Sequence, residues 1–190
     1  MAESPNGQNN QVISRDGTRL VFEQTTDLMM VTLNRDRRVQ PLTQTMFNER
    51  NAEISSDGRW LAYESNESGR YEIYVRPFPD VNNGRWQPST AGGTRPLWAK
   101  SLRELFYLAP SGALMAVPIE RGSASKAGAP AKLFDWPIPA FNARFYDVSA
   151  DGRKFLMIKP AGESNQIAAP SSLIVVQHFD EELKRLLPTK

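Results

Sequence analysis

Few residues in this chain have the types needed for chemistry. Its 190 residues include one histidine and no cysteine. Thiol nucleophiles, disulfides, Cys-ligated zinc, iron–sulfur clusters and any site needing two histidines are therefore excluded. Ser123-Ala124-Ser125-Lys126 has the Ser-x-x-Lys spacing at which a lysine can activate a serine. That chemistry requires a buried helix start and partner motifs, whereas the flanking GSASKAGAPA at 122–131 reads as a flexible surface loop. No Gly-x-Ser-x-Gly elbow is present. His178, alone beside a terminal helical pattern, reads as a capping or surface residue. Asp16, Asp57 and Asp151 recur in Asp-Gly pairs, but Asp-x-Asp-x-Asp-Gly is missing, so a turn role is expected rather than calcium binding. No cofactor and no metal are expected.

The elements that position these residues are repeats. ISRDGTRLVFEQ at 13–24 aligns without a gap with ISSDGRWLAYES at 54–65 and VSADGRKFLMIK at 148–159. WAKSLRELFYLA at 98–109 fits with its Asp-Gly lost. The equivalent positions Gly17, Gly58, Leu102 and Gly152 are 41, 44 and 50 residues apart, close to the ~40–45 residues of a four-stranded propeller blade. Each repeat reads as a meander. In the second, Ala52–Ser55 is a short strand, Ser56-Asp57-Gly58 a hairpin turn and Trp60–Tyr63 an apolar strand packed on both faces. Tyr71, Ile73 and Val75 alternate along a third strand, and Arg85–Pro88 is a short outer strand.

Ser-x-Asp-Gly-(Arg/Lys)-x-Leu-(Ala/Val)-(Phe/Tyr) followed by Gly-x-x-x-Ile-Tyr-Val resembles the TolB-type β-propeller repeat, with SSDGRWLAYESNESGRYEIYVRPFP the strongest match. The third and fourth repeats resemble the closing blades of bacterial multi-domain proteins, some of them kinase-linked, that end in a similar "LIVV…F-x-E-E-L-K-R" segment. No kinase motif is present here. The resemblance implies an all-β propeller of four antiparallel four-stranded blades, the last incomplete, with a short C-terminal helix. The expected divisions are a disordered tail at 1–9 and a propeller or half-propeller at 10–190. Its blades lie at about 10–50, 51–94, 95–143 and 144–177, and the helix at 179–187. In that helix Asp180–Lys184 and Glu181–Arg185 pair at i,i+4.

An open arc of blades leaves an apolar face at each end. It can close on itself, with Gln8–Val12 supplying the missing outer strand, or on a second copy, or on further blades of a longer chain. A homodimer is favoured here. The innermost strands offer Asn10, Gln11, Asn51, Glu53, Arg95 and Asp147. Of these, Asn51, Glu53, Arg95 and Asp147 are the expected channel-lining residues, and Glu53 with Asp147 would form an acid–base pair only in a tightly closed ring. The apolar, Pro-rich stretch around Trp136, Pro137, Ile138 and Phe141 is the expected interaction surface. Trp60 and Trp98 fall at core positions, and Arg35, Arg37 and Arg38 in a solvated loop.

These observations favour a non-catalytic interaction module that binds a protein or itself. The alternative is a ligand-binding or hydrolase/lyase-type propeller with its site in the channel. A net charge of +2 gives no footprint for nucleic acid. No apolar run reaches the ~20 residues of a membrane span, and MAESPNGQNN lacks the apolar core of a signal peptide, which favours the cytoplasm.

Overall fold

The recurring Ser-x-Asp-Gly segments form nearly superimposable turns in a computed structural model that describes residues 8–34, 36–120, 126–136 and 144–158. The N–H of Gly17, Gly58, Leu102 and Gly152 donates to the carbonyl three residues earlier at 2.8–2.9 Å, and all four have φ between 58° and 74°. Leu102 thus holds a left-handed conformation that the other three repeats assign to glycine. In the three Asp-Gly turns the Asp carboxylate accepts from the preceding Ser hydroxyl at 2.6 Å and from the backbone N–H two residues on. That Ser hydroxyl in turn accepts from the N–H of the first residue after the turn. The expected turn role of Asp16, Asp57 and Asp151 is the one they have.

Among the described residues the chain forms fourteen strands. The first sheet has the order β1 (Gln8–Ile13), β2 (Arg19–Gln24), β3 (Asp27–Thr32) and β4 (Val39–Pro41). The second holds β5 (Glu49–Ile54), β6 (Trp60–Ser65) and β7 (Glu72–Pro77). In the third, β8 (Thr94–Trp98), β9 (Glu104–Leu108) and β10 (Ala113–Glu120) are joined by β11 (Lys126–Ala127) and β12 (Ala131–Asp135), both paired with β10. The last holds β13 (Tyr146–Val148) and β14 (Phe155–Met157). Adjacent strands pair antiparallel, as in a meander.

Two expectations are corrected. Gln8–Ile13 is the first strand of its own sheet, paired antiparallel with β2, so it does not serve as an outer strand for the last sheet. The physical reason is local: the Asp16-Gly17 turn is short enough to close a hairpin on its own neighbour. The outer strand at Arg85–Pro88 reduces to a single bridge between Val75 and Trp86. Pro88 has no N–H for a ladder, and the Trp86 ring packs edge-on against Trp60 with 4.7 Å between centroids. The chain divides into units 1–160 and 161–190, and every described residue lies in the first. The expected helix at 179–187, the strand Leu173–Val176 and His178 lie outside the described residues. Among those described, no helix is present and none is long and apolar enough to cross a membrane.

The sheets stack face to face through three apolar layers. Val21, Leu28 and Met30 of the first sheet meet Ile54, Leu61 and Tyr63 of the second. On the other face of β6 and β7, Ala62, Ile73 and Val75 meet Trp98, Leu105 and Tyr107 of the third. Leu97, Phe106 and Leu114 then meet Phe145, Tyr146 and Val148 of the last. Middle strands are thus buried on both sides, which explains their unbroken apolar runs. Trp98 is buried as expected, while Trp60 is partly buried against the same layer.

Candidate functional site

The inner strands β1, β5 and β8 have an irregular register at the same point of the repeat, while β13 pairs regularly with β14. Shifts fall between Asn9 and Gln11, between Arg50 and Glu53, and between Thr94 and Leu97. In the second and third sheets the bulge contains a non-glycine residue with positive φ, Asn51 at 52° and Arg95 at 56°. A glutamate from the preceding sheet holds each one. Glu23 of β2 accepts from the Asn51 N–H, and Glu64 of β6 accepts from the Arg95 N–H. Glu23 and Glu64 are both six residues after the turn glycine. In the third repeat this position is Leu108, and the last sheet is tied on differently: the Tyr146 hydroxyl donates to the Arg95 carbonyl at 2.6 Å. Burial pushes the Tyr146 hydroxyl well above its usual range.

Glu64 has no solvent exposure and also accepts from Asn51 Nδ2 at 2.6 Å and Arg50 Nε at 2.7 Å. The Arg50 guanidinium lies 3.7 Å over the Tyr71 ring. Asn51 and Arg95, expected to line a channel, are therefore buried members of a polar network that locks one sheet to the next.

The other two expected channel residues come together. Glu53 and Asp147 line one cavity of about 180 Å3 with Ser56, Leu97, Trp98, Lys100 and Arg144. Arg144 Nη1 donates to Glu53 Oε2 at 2.7 Å and to the Pro96 carbonyl at 3.5 Å, so the pair spans from the second sheet to the last. Burial raises the Glu53 carboxyl above its usual range, opposed by Arg144 and reinforced by Asp147. Glu53 is thus committed to a cation, and the acidic pair becomes an acid–arginine–acid cluster. A second cavity of about 470 Å3 adjoins the first through Ile54, Ser56 and Lys100 and adds Ile13, Arg15 and Ser55.

Of the expected interaction surface, Trp136 packs against the layer between the last two sheets, and its Nε1 donates to the Ile158 carbonyl at 3.3 Å. Pro137, Ile138 and Phe141 lie outside the described residues. Sequence reasoning missed Glu64, Arg144, Arg15 and Lys100. Repeat alignment held the signal for three of them, since Arg15, Ser56 and Lys100 share one repeat position, as do Glu23 and Glu64. Arg144 carries no such signal.

Sheets stacked through successive apolar layers, with inner strands converging on one cluster, define a β-propeller arrangement. No protein-family profile and no curated protein matches the chain. Solved structures do. TolB from Acinetobacter baumannii is similar with a TM-score of 0.63 at 17% identity, over 86% of this chain and 40% of that one. A protein assigned as a 6-phosphogluconolactonase from Bacteroides uniformis gives 0.55 at 13% identity, over 81% and 48%. A puromycin-hydrolyzing peptidase of Mycobacterium tuberculosis gives 0.53 at 16% identity, over 76% and 27%. The fold is that of a TolB-like β-propeller, and the chain spans less than half the length of these three structures.

Proposed function

We propose that this chain is a non-catalytic interaction module whose end sheets dock on a second copy to complete a ring. The observation that carries this is where exposed apolar residues lie. On the side of the first sheet away from the second, Leu20, Val31 and Val39 are directly opposed across β2, β3 and β4. Val39 is 45% exposed. In the last sheet, Phe155 and Met157 pack inward while Leu156 and Ile158 point the other way, 72% and 55% exposed. The second sheet, covered on both faces, has no exposed large apolar residue in its strands. Two copies placed so that each first sheet meets the other's last sheet remove both faces from water.

Light scattering coupled to size exclusion tests this. The expected mass is twice 21.3 kDa, falling to the single-chain value in Val39→Glu/Leu156→Glu. A wild-type monomer at tens of micromolar that unfolds cooperatively would overturn it.

A second function, a ligand-binding or hydrolase/lyase-type propeller, is favoured by Glu53 and Asp147 sharing a cavity with Arg144. Its test is hydrolysis of a sugar lactone. Activity abolished by Glu53→Gln and Asp147→Asn supports it, and no activity above background removes it.

A further inference from the structure

The larger cavity beside the inner strands has a charge and shape that neither proposal uses. Arg15, Ser56 and Lys100 occupy the same position in successive repeats, two residues before the positive-φ residue of each turn. The stacking of the sheets brings them to one rim. Arg15 Nη1 donates to the Ser56 carbonyl at 3.4 Å, and the Ser56 hydroxyl donates to the Lys100 carbonyl at 3.1 Å. The cavity of about 470 Å3 below this rim is lined by Ile13, Arg15, Ile54, Ser55, Ser56 and Lys100. It has two cations and no carboxylate.

The carboxylates nearest in sequence do not line the cavity and are bonded elsewhere. Asp16 accepts from Ser14 and Thr18, and Asp57 accepts from Ser55 and the Arg59 N–H. Glu53 is held by Arg144 in the adjoining cavity. Among the described residues neither Arg15 nor Lys100 joins an ion pair. One wall is apolar: Ile54 is buried and Ile13 is 58% exposed. The volume falls within the ~300–1,000 Å3 of small-molecule sites.

We propose that this cavity binds a small organic anion, with a carboxylate or phosphate held between Arg15 and Lys100 and an apolar flank against Ile13 and Ile54. Charge-assisted hydrogen bonds to a guanidinium and an ammonium supply the attraction, and the Ser56 hydroxyl oxygen retains acceptor capacity for a protonated head. The site lies within the first three sheets of one chain, so it stands or falls independently of self-association.

The test is an NMR titration of the full chain with hexanoate, monohexyl phosphate, acetate and hexanol. Saturable shifts at Ile13, Ser56 and Lys100 are expected with Kd of about 1 mM for a six-carbon anion, a weak fragment-sized affinity. Acetate is expected to bind at least fivefold more weakly, and hexanol not to saturate. Tighter binding of hexanoate than of hexyl phosphate assigns a carboxylate ligand, and the reverse a phosphate. Arg15→Gln/Lys100→Gln alters only exposed side chains and is expected to weaken both anions at least tenfold, with an unchanged amide spectrum elsewhere. Hexanol binding as tightly as hexanoate, unchanged affinity in the double variant, or no saturable shift in the cavity would each overturn the proposal.

Discussion

Replacing Glu64 with alanine tests how the sheets are locked together. The side chain is fully buried and receives Arg50 Nε at 2.7 Å, Asn51 Nδ2 at 2.6 Å and the Arg95 N–H. Its removal leaves the Arg95 N–H buried without that acceptor, at a cost of about 1–3 kcal/mol for one unsatisfied donor. It also strips the carboxylate from Arg50, whose side chain is only 24% exposed. Removing one partner of a buried pair costs about 3–5 kcal/mol, and because the donors share one acceptor these costs overlap rather than add. Glu64→Ala is therefore expected to cost about 3–5 kcal/mol, a large share of the ~5–15 kcal/mol of a typical domain. Glu23→Ala, on a half-buried side chain, should cost about 1–2 kcal/mol. Urea unfolding followed by tryptophan fluorescence, at fixed protein concentration, measures both through the midpoint at constant slope. A Glu64→Ala protein within about 1 kcal/mol of wild type, or one no weaker than Glu23→Ala, would refute the argument.

The turns make a paired prediction: Gly58→Ala, with open space around the new Cβ but φ of +70°, should cost about 1–2 kcal/mol, while Leu102→Gly relieves the same strain and should cost nothing, both read from urea midpoints. Gly92→Ala should cost more than Gly58→Ala, because its Cβ would also collide with the Pro110 ring. In acid, hydrogen bonds from Ser14 and Thr18 hold the Asp16 carboxyl down at about 2, from an unfolded value near 3.8. The stabilisation is complete above 3.8 and lost as pH falls towards 2, so Asp16→Asn should flatten the stability profile over that window. Arg144→Ala removes the cation that opposes burial at Glu53, so the Glu53 carboxyl should titrate at higher pH than in wild type, by carboxyl-carbon NMR; a downward move would contradict the ion pair.

Much of the fold was legible because it rests on short-range chemistry. Asp16-Gly17, Asp57-Gly58 and Asp151-Gly152 announce their own turns, since a carboxylate that accepts its own backbone N–H and a glycine free to take positive φ need no tertiary partner. The run at Trp60–Tyr63 announced a strand covered on both faces. Glu64 was legible only as the repeat position it shares with Glu23: a glutamate in a strand reads as solvent-facing, and only the stacking of β6 against β8 buries it on the backbone N–H of Arg95, 31 residues along the chain. Arg144 and Glu53 lie 91 residues apart and become an ion pair only because the inner strands converge. The sequence by itself determined the repeat, its turns and its strands, because those depend on residues within reach of one another along the chain. The tertiary structure alone decided which polar residues are buried, which are paired and which, like Arg15 and Lys100, face a cavity, because that depends on how sheets distant in sequence are rotated about one axis.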